Sequence, residues 1–215
     1  MARRVVIKQG RRKKKKRKKQ QEQPKRVDKC LVAWAGDLAA ARCVNDFISR
    51  TGCKAIVETG TYKGATTAWF TTFGLPVHTI EKNHEFISVA RARLAGIPNA
   101  TVHEGSSADV LGSIIGELPR PVLFFLDAHW EDYWPLQDEL RIIAEGGHSD
   151  ACLIVHDCLV PGRSDLKGDI SKGVTLNIEM IRDAIAAIYN GSFHVSYNEA
   201  SPAHVPGILF VEPSP

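Results

Sequence analysis

Long apolar runs are missing from this 215-residue chain, so no helix in it is expected to cross a membrane. The first residues are basic but no apolar segment follows them, and no secretory signal is expected. Cysteine is scarce and scattered, at positions 30, 43, 53, 152 and 158, with no C-x-x-C pair. That argues against a disulfide framework and a structural zinc site, and it suits a reducing, cytoplasmic setting. The glycines never fall as G-x-G-x-x-G, so the turn that seats a pyrophosphate in dinucleotide-binding sheets is absent. No internal repeat is visible.

What is present begins with a divided charge. The formal net charge of +4 joins two unlike parts. Residues 1–27 hold 14 Lys and Arg against Glu22, a net +13, and residues 28–215 hold 14 against 23 Asp and Glu, a net −9. The chain therefore reads as a disordered basic tail, 1–27, on an acidic domain, 28–215. Nine adjacent cations from Arg11 to Lys19 repel one another and have nothing to bury. Residues 3–26 include no aromatic side chain, so they offer phosphates attraction without base stacking. Non-specific, salt-sensitive contact with nucleic acid is one reading of the tail. An anionic-membrane or nuclear-import tag (nuclear if the chain is eukaryotic) and a solvated extension without a role are the others.

Apolar content of 44% supports a real core. Helical spacing runs from Cys30 to Arg50 through Leu31, Trp34, Leu38, Ala41, Val44, Phe47 and Ile48, a leading helix with Trp34 in the core. Strand and helix patterns then alternate. Strands are expected over 54–58, 77–81, 100–103, 121–127 and 151–156. Helices are expected over 65–73, 84–94, 107–115, 133–145 and about 174–189, with Phe86, Ile87, Val89, Ala90 and Leu94 as the buried face of the second. Two last strands, 192–197 and 207–212, have no helix between them and must pair as a hairpin. The expected fold is α/β: a Rossmann-like three-layer sandwich whose seven-stranded, mostly parallel sheet ends in an antiparallel hairpin strand.

In such sheets ligands sit beyond the carboxyl ends of the strands. Those ends carry Glu58-Thr59-Gly60, Glu81-Lys82-Asn83, Glu104 to Asp109, Asp127-Ala128-His129-Trp130 and His156-Asp157-Cys158. Singly, several of these are ordinary helix caps; together they form a polar, mostly acidic rim. The first turn, Glu58-x-Gly60-x-x-x-Gly64, puts an acid where a pyrophosphate would be repelled. A cationic, amino-bearing ligand suits it better. S-adenosylmethionine has an ammonium and a sulfonium and no phosphate, so the pattern favours it over NAD and disfavours an NAD-dependent oxidoreductase.

The ordered set Val57 to Gly64, Thr79-Ile80-Glu81, Gly105-Ser106-Ser107, Phe125 to Trp130 and Leu153 to Cys158 with Pro161-Gly162 resembles class I S-adenosylmethionine-dependent methyltransferases. Within that class it is most similar to small-molecule O-methyltransferases of the catechol O-methyltransferase kind. The resemblance spans about half of the chain. It implies that Glu58 and Gly60 border the methionine end of the cofactor, that Tyr62 packs near it, and that Gly64 lets the backbone close in. It also implies that Glu81 takes the ribose hydroxyls, that Ser106, Ser107 and Trp130 lie by the adenine, and that Asp127 faces the reacting methyl.

The chain departs from that subgroup in two places. The subgroup binds Mg²⁺ through an Asp after the fourth strand and an Asp-Asn pair after the fifth; here the pair is Asp157-Cys158, and cysteine is a poor ligand for a hard cation. The subgroup's catalytic Lys after His-Trp is replaced by Glu131. Asp127, His129 and His156 are the candidates for the reacting centre, with a histidine as base. Asp127, His156 and Asp157 are the candidates for a divalent metal, whose presence stays open. The reading is methylation of an oxygen on a polar small molecule or sugar, since the segment Leu159 to Lys172 is rich in charge. Two alternatives stand beside it: a nucleic-acid methyltransferase tethered by the tail, and an inactive domain that only binds S-adenosylmethionine. The Asn/Asp-Pro-Pro-Tyr/Phe segment of base amino-methylation is absent after the fourth strand, and Cys158 reads as structural rather than nucleophilic.

Overall fold

The computed structural model describes residues 29–129, 133–171 and 173–214. The basic tail and Trp130 lie outside these residues. Strands β1 (Ala55–Thr59) and β4 (Val122–Leu126) are buried along their whole length, as expected of the middle of a sheet covered on both faces. β2 (Val77–Glu81) and β3 (Ala100–Glu104) lie outward on one side, and β5 (Cys152–His156) on the other. A two-stranded hairpin, β6 (Ile170–Ser171) with β7 (Val174–Thr175), stands apart from the sheet. β8 (Phe193–Tyr197) and β9 (Ile208–Pro213) complete the sheet in the order β3-β2-β1-β4-β5-β9-β8. The pairings from β3 through β5 are parallel, and β9 runs antiparallel to both β5 and β8, so the expected hairpin strand is present.

Helix α1 (Leu38–Thr51) and helix α2 (Ala65–Phe70) cover one face, where Val44, Phe47, Trp69 and Phe70 meet Ile56, Leu123, Phe125 and Ile154. Trp34 belongs to this core, as expected. Helix α3 (His84–Leu94) packs beside α2. Helices α4 (Ser107–Ile114), α5 (Leu136–Glu145) and α6 (Ile178–Ile188) cover the other face, where Leu111, Leu140 and Ile185 meet Val57, Phe124 and Val155.

Three local expectations change. The leading helix is broken, because Ala35 and Gly36 take left-handed backbone angles and Asp37 caps a new helix, accepting bonds from the N–H groups of Ala39 and Ala40. The buried face of α3 is Ile87, Ala90 and Leu94, while Val89 is exposed and Phe86 is half-buried. Helices α5 and α6 start later than the apolar pattern suggests. Pro135 precedes the first, and the β6–β7 hairpin with an Asn177 cap precedes the second.

One buried amide fixes the far side of the sheet. Asn198 is fully buried; its amide donates to Ser201 Oγ at 3.0 Å and to the Pro206 carbonyl at 2.9 Å, and its oxygen accepts the Ile208 N–H at 2.7 Å. It thereby sets the turn that delivers Gly207 against the Cys158 carbonyl, an approach that leaves no room for a Cβ. Asn198→Ala is expected to cost about 2–4 kcal/mol in urea denaturation, since it leaves the buried Ile208 N–H and Pro206 carbonyl unpaired. A loss below about 0.5 kcal/mol contradicts this role.

Candidate active site

The turn after β1 is built by backbone contacts. Gly60 has φ +83°, and a Cβ there would lie 2.6 Å from the Asp127 carbonyl oxygen. Only glycine lets the turn touch the end of β4 this closely. Gly60 and Thr61 donate their N–H groups to the Ile80 carbonyl at 3.0 and 3.2 Å, so the ends of β1 and β2 are joined as well. Gly64, the N-cap of α2, has φ +74° and lies so near α3 that a Cβ there would press on Ala90 at 3.3 Å. Its role is helix packing.

Glu58 lies beneath this turn, fully buried. Its carboxyl accepts bonds from the hydroxyls of Thr67 and of Thr79, the latter at 2.6 Å. Burial pushes its pKa up to about 8 against those bonds, so the group is mostly neutral at pH 7. It braces the turn from below and is not among the residues that line the cavity above.

That cavity, about 310 Å³, is lined by Gly60, Tyr62, Glu81, Phe86, Asp127 and His129, among others. Glu81 ends β2 almost wholly buried, with one oxygen accepting the Tyr62 N–H and the other the Asn83 N–H, both at 2.7 Å. Tyr62 itself has φ +49° and is half exposed; its ring meets Phe86 edge to face at 4.5 Å. Phe86 was expected in the core of α3 and is instead a wall of the cavity.

At the other side of the cavity, the ends of β4 and β5 bring three candidates together. His156 Nδ1 lies 3.0 Å from Asp127 Oδ1 and 3.1 Å from Asp157 Oδ2. A ring nitrogen between two carboxylates carries a proton. Burial works to lower the His156 pKa, but the two carboxylates outweigh it and hold it well above the ordinary value. Burial likewise works to raise Asp157, and His156 with His129 nearby more than offsets it. His129 is exposed at the cavity wall. Cys158 is fully buried, and burial raises its thiol to about 12. It is a core residue, neither a nucleophile nor a ligand.

The molecule aligns with solved O-methyltransferases. A Klebsiella pneumoniae protein assigned as an O-methyltransferase matches with a TM-score of 0.55 and 20% identity, over 89% of each chain. A Staphylococcus aureus protein assigned as a caffeoyl-CoA O-methyltransferase matches with a TM-score of 0.54 and 14% identity, over 80% of this chain and 82% of that one. The N-terminal domain of EvdMO1, solved with S-adenosylhomocysteine bound, matches with a TM-score of 0.53 and 14% identity, over 82% of this chain and 81% of that one. The chain shares the Rossmann-like α/β fold of these solved O-methyltransferases. No protein-family model matches the sequence, and no curated protein matches it either.

Of the remaining candidates, Ser106 is the N-cap residue of α4, without a side-chain capping bond, and Ser107 is buried with its hydroxyl unpaired. Arg163 is paired with Asp165 at 2.7 Å and bonded to the Ser201 carbonyl; of Arg163, Asp165, Lys167 and Asp169, only Asp169 lines a cavity beside the cluster.

One buried acid lies outside the candidate residues. Glu139 on α5 is fully buried, and no hydrogen bond reaches its carboxyl oxygens at good geometry. The Ser107 and Thr59 hydroxyls are near enough to lower its pKa, but burial dominates and lifts it to about 7. Its place among Leu136, Leu140 and Ile143 is a core-facing position at helical spacing, a signal available in the sequence. Folding raises this acid's pKa, so the folded state holds an extra proton between about pH 4.3 and 7. Stability is expected to fall as pH rises through that window and to stay lower above it. Glu139→Gln should therefore stabilise the protein at pH 8 by about 1–3 kcal/mol in urea denaturation and remove part of the decline. A Gln variant less stable than wild type at pH 8 contradicts this.

Proposed function

We propose that the protein transfers the methyl group of S-adenosylmethionine to a hydroxyl oxygen of a polar small molecule, a sugar or a sugar-like metabolite. The observation that carries this reading is one cavity that joins the Gly60 turn and the buried Glu81 carboxylate to the Asp127–His156–Asp157 cluster. The turn lacks the G-x-G-x-x-G pyrophosphate cradle, which favours a cofactor without phosphate; Glu58, buried and mostly neutral beneath it, adds no repulsion. The shared fold supports the same choice, because the EvdMO1 domain was solved with S-adenosylhomocysteine bound.

S-adenosylmethionine, when bound, supplies a methyl already activated as a sulfonium. The protein's tasks are then to bind, align and deprotonate. Glu81 accepts the ribose hydroxyls with the lone pairs its backbone donors leave open. Gly60 lets the main chain lie against the methionine end, and Tyr62 with Phe86 walls that side. Ser106, Ser107 and Trp130 are assigned to the adenine. Asp127 faces the reacting centre. His156, with its Nδ1 proton fixed between two carboxylates, holds charge in place, and the exposed imidazole of His129 is the better placed base.

The cluster also fits a divalent cation. Its three donor atoms lie within 4.8 Å of one another, and His156 Nδ1 is about 3 Å from each carboxylate oxygen. That is close to the roughly 3.0 Å between neighbouring ligands at bonds of about 2.1 Å. Two carboxylates and an imidazole suit Mn²⁺, Fe²⁺ or Zn²⁺ better than Mg²⁺. An ion there would take the place of the His156 Nδ1 proton, would be held by Asp127, His156 and Asp157, and would acidify the acceptor hydroxyl. The EvdMO1 domain, also solved in the presence of D-fucose, supports a hydroxylated acceptor.

Calorimetric titration with S-adenosylhomocysteine tests the reading. Wild type should bind, and Glu81→Ala should weaken binding by about 10- to 100-fold, the worth of charge-assisted bonds to the ribose. Undetectable binding to wild type, or a preference for NAD, contradicts it.

A further inference from the structure

Asp157 has φ +55°, a left-handed backbone that a residue with a Cβ adopts at a cost. Something must hold it there. Its carbonyl accepts the Asp169 N–H at 2.7 Å. The Asp169 carboxylate is fixed in turn, one oxygen accepting the Trp134 indole N–H at 2.7 Å and the other the Ile170 N–H at 2.9 Å. The Asp169 carbonyl accepts the Leu176 N–H at 2.9 Å, and the Leu176 carbonyl accepts the Leu159 N–H at 2.8 Å. Trp134, half-buried against the α4–α5–α6 core, stands just ahead of α5, 35 residues from Asp169 in the chain. Both side chains line the narrow cavity that also touches Asp127, His129, His156 and Asp157. Gly168 completes the arrangement, because a Cβ there would meet Thr175 at 2.8 Å.

We propose that Trp134 and Asp169 are positioning residues for Asp157. The indole orients the Asp169 carboxylate, the Asp169 peptide holds the strained Asp157 carbonyl, and the Asp157 carboxylate is thereby presented with Asp127 and His156 as one set. This rests on the proposed function only in taking those three as the working cluster. The task uses both oxygens of Asp169 as acceptors, one for the indole N–H and one for the Ile170 N–H.

The test uses the full chain with Trp134→Phe, Asp169→Ala and Asp169→Asn. Mn²⁺ binding is followed by electron paramagnetic resonance, S-adenosylhomocysteine binding by calorimetry, and exchange of the 157–176 amides by mass spectrometry. Trp134→Phe and Asp169→Ala should weaken Mn²⁺ binding about tenfold or more, as losses behind a metal ligand do, and should speed exchange in 157–176. Asp169→Asn, whose single amide oxygen can accept the indole N–H but not the Ile170 N–H as well, should fall between wild type and Asp169→Ala. Cofactor affinity should change less than about twofold throughout. Trp134→Phe keeps the ring and carries the test if Asp169→Ala fails to fold. Unchanged Mn²⁺ affinity in Trp134→Phe, an Asp169→Asn variant as weak as Asp169→Ala, or a wild type that binds no Mn²⁺ overturns the proposal. A wild type that binds Mn²⁺ but not S-adenosylhomocysteine overturns the methyl-transfer reading and leaves the positioning role standing.

Discussion

The contact of Gly60 with the Asp127 peptide is the constraint on which the site depends. The two chain segments come so near that a methyl group would fall 2.6 Å from a carbonyl oxygen. The contact joins the turn after β1, where the cofactor is proposed to lie, to the end of β4, where the proposed reacting groups lie. The same turn is tied to β2 through the Ile80 carbonyl, and Glu81 receives the Tyr62 N–H. Three strand ends are thus locked into one floor before any ligand arrives. Such preorganisation spares the reaction the entropy of assembling its groups.

Below that floor the protein places carboxyl groups in surroundings that oppose their ionisation. Glu58 and Glu139 are both fully buried, and burial dominates the raised pKa of each. Glu58 is satisfied by two threonine hydroxyls; Glu139 is not bonded at all among the described residues. Above the floor the balance reverses, because Asp127 and Asp157 bracket His156 and outweigh the burial that opposes its charge. Carboxyls whose ionisation burial opposes lie beneath and paired groups lie above, which limits the net charge inside the sheet.

The parts legible in the sequence are those governed by local chemistry. β1 and β4 read as apolar runs because both of their faces are covered, and Gly60 stood out because the turn had to be tight. The acids and histidines at successive strand ends were readable because a parallel sheet aligns those ends on one edge. What was hidden depends on partners distant in the chain. Phe86 leaves the α3 core for Tyr62, and Asp169 owes its orientation to Trp134. The break before α1 follows from two left-handed residues and a cap, which apolar spacing does not register. Glu139 was readable in principle, as a carboxyl at a core-facing position of α5.

The central claim is that the cavity between Glu81 and the Asp127–His156–Asp157 cluster is where the cofactor and the acceptor meet. A crystal structure of the protein with S-adenosylhomocysteine tests it most directly. The account predicts ribose hydroxyls on the Glu81 carboxylate, the methionine end against Gly60, and the sulfur facing Asp127 and His129. A ligand seated away from Glu81, or a sulfur turned from the cluster, would contradict it.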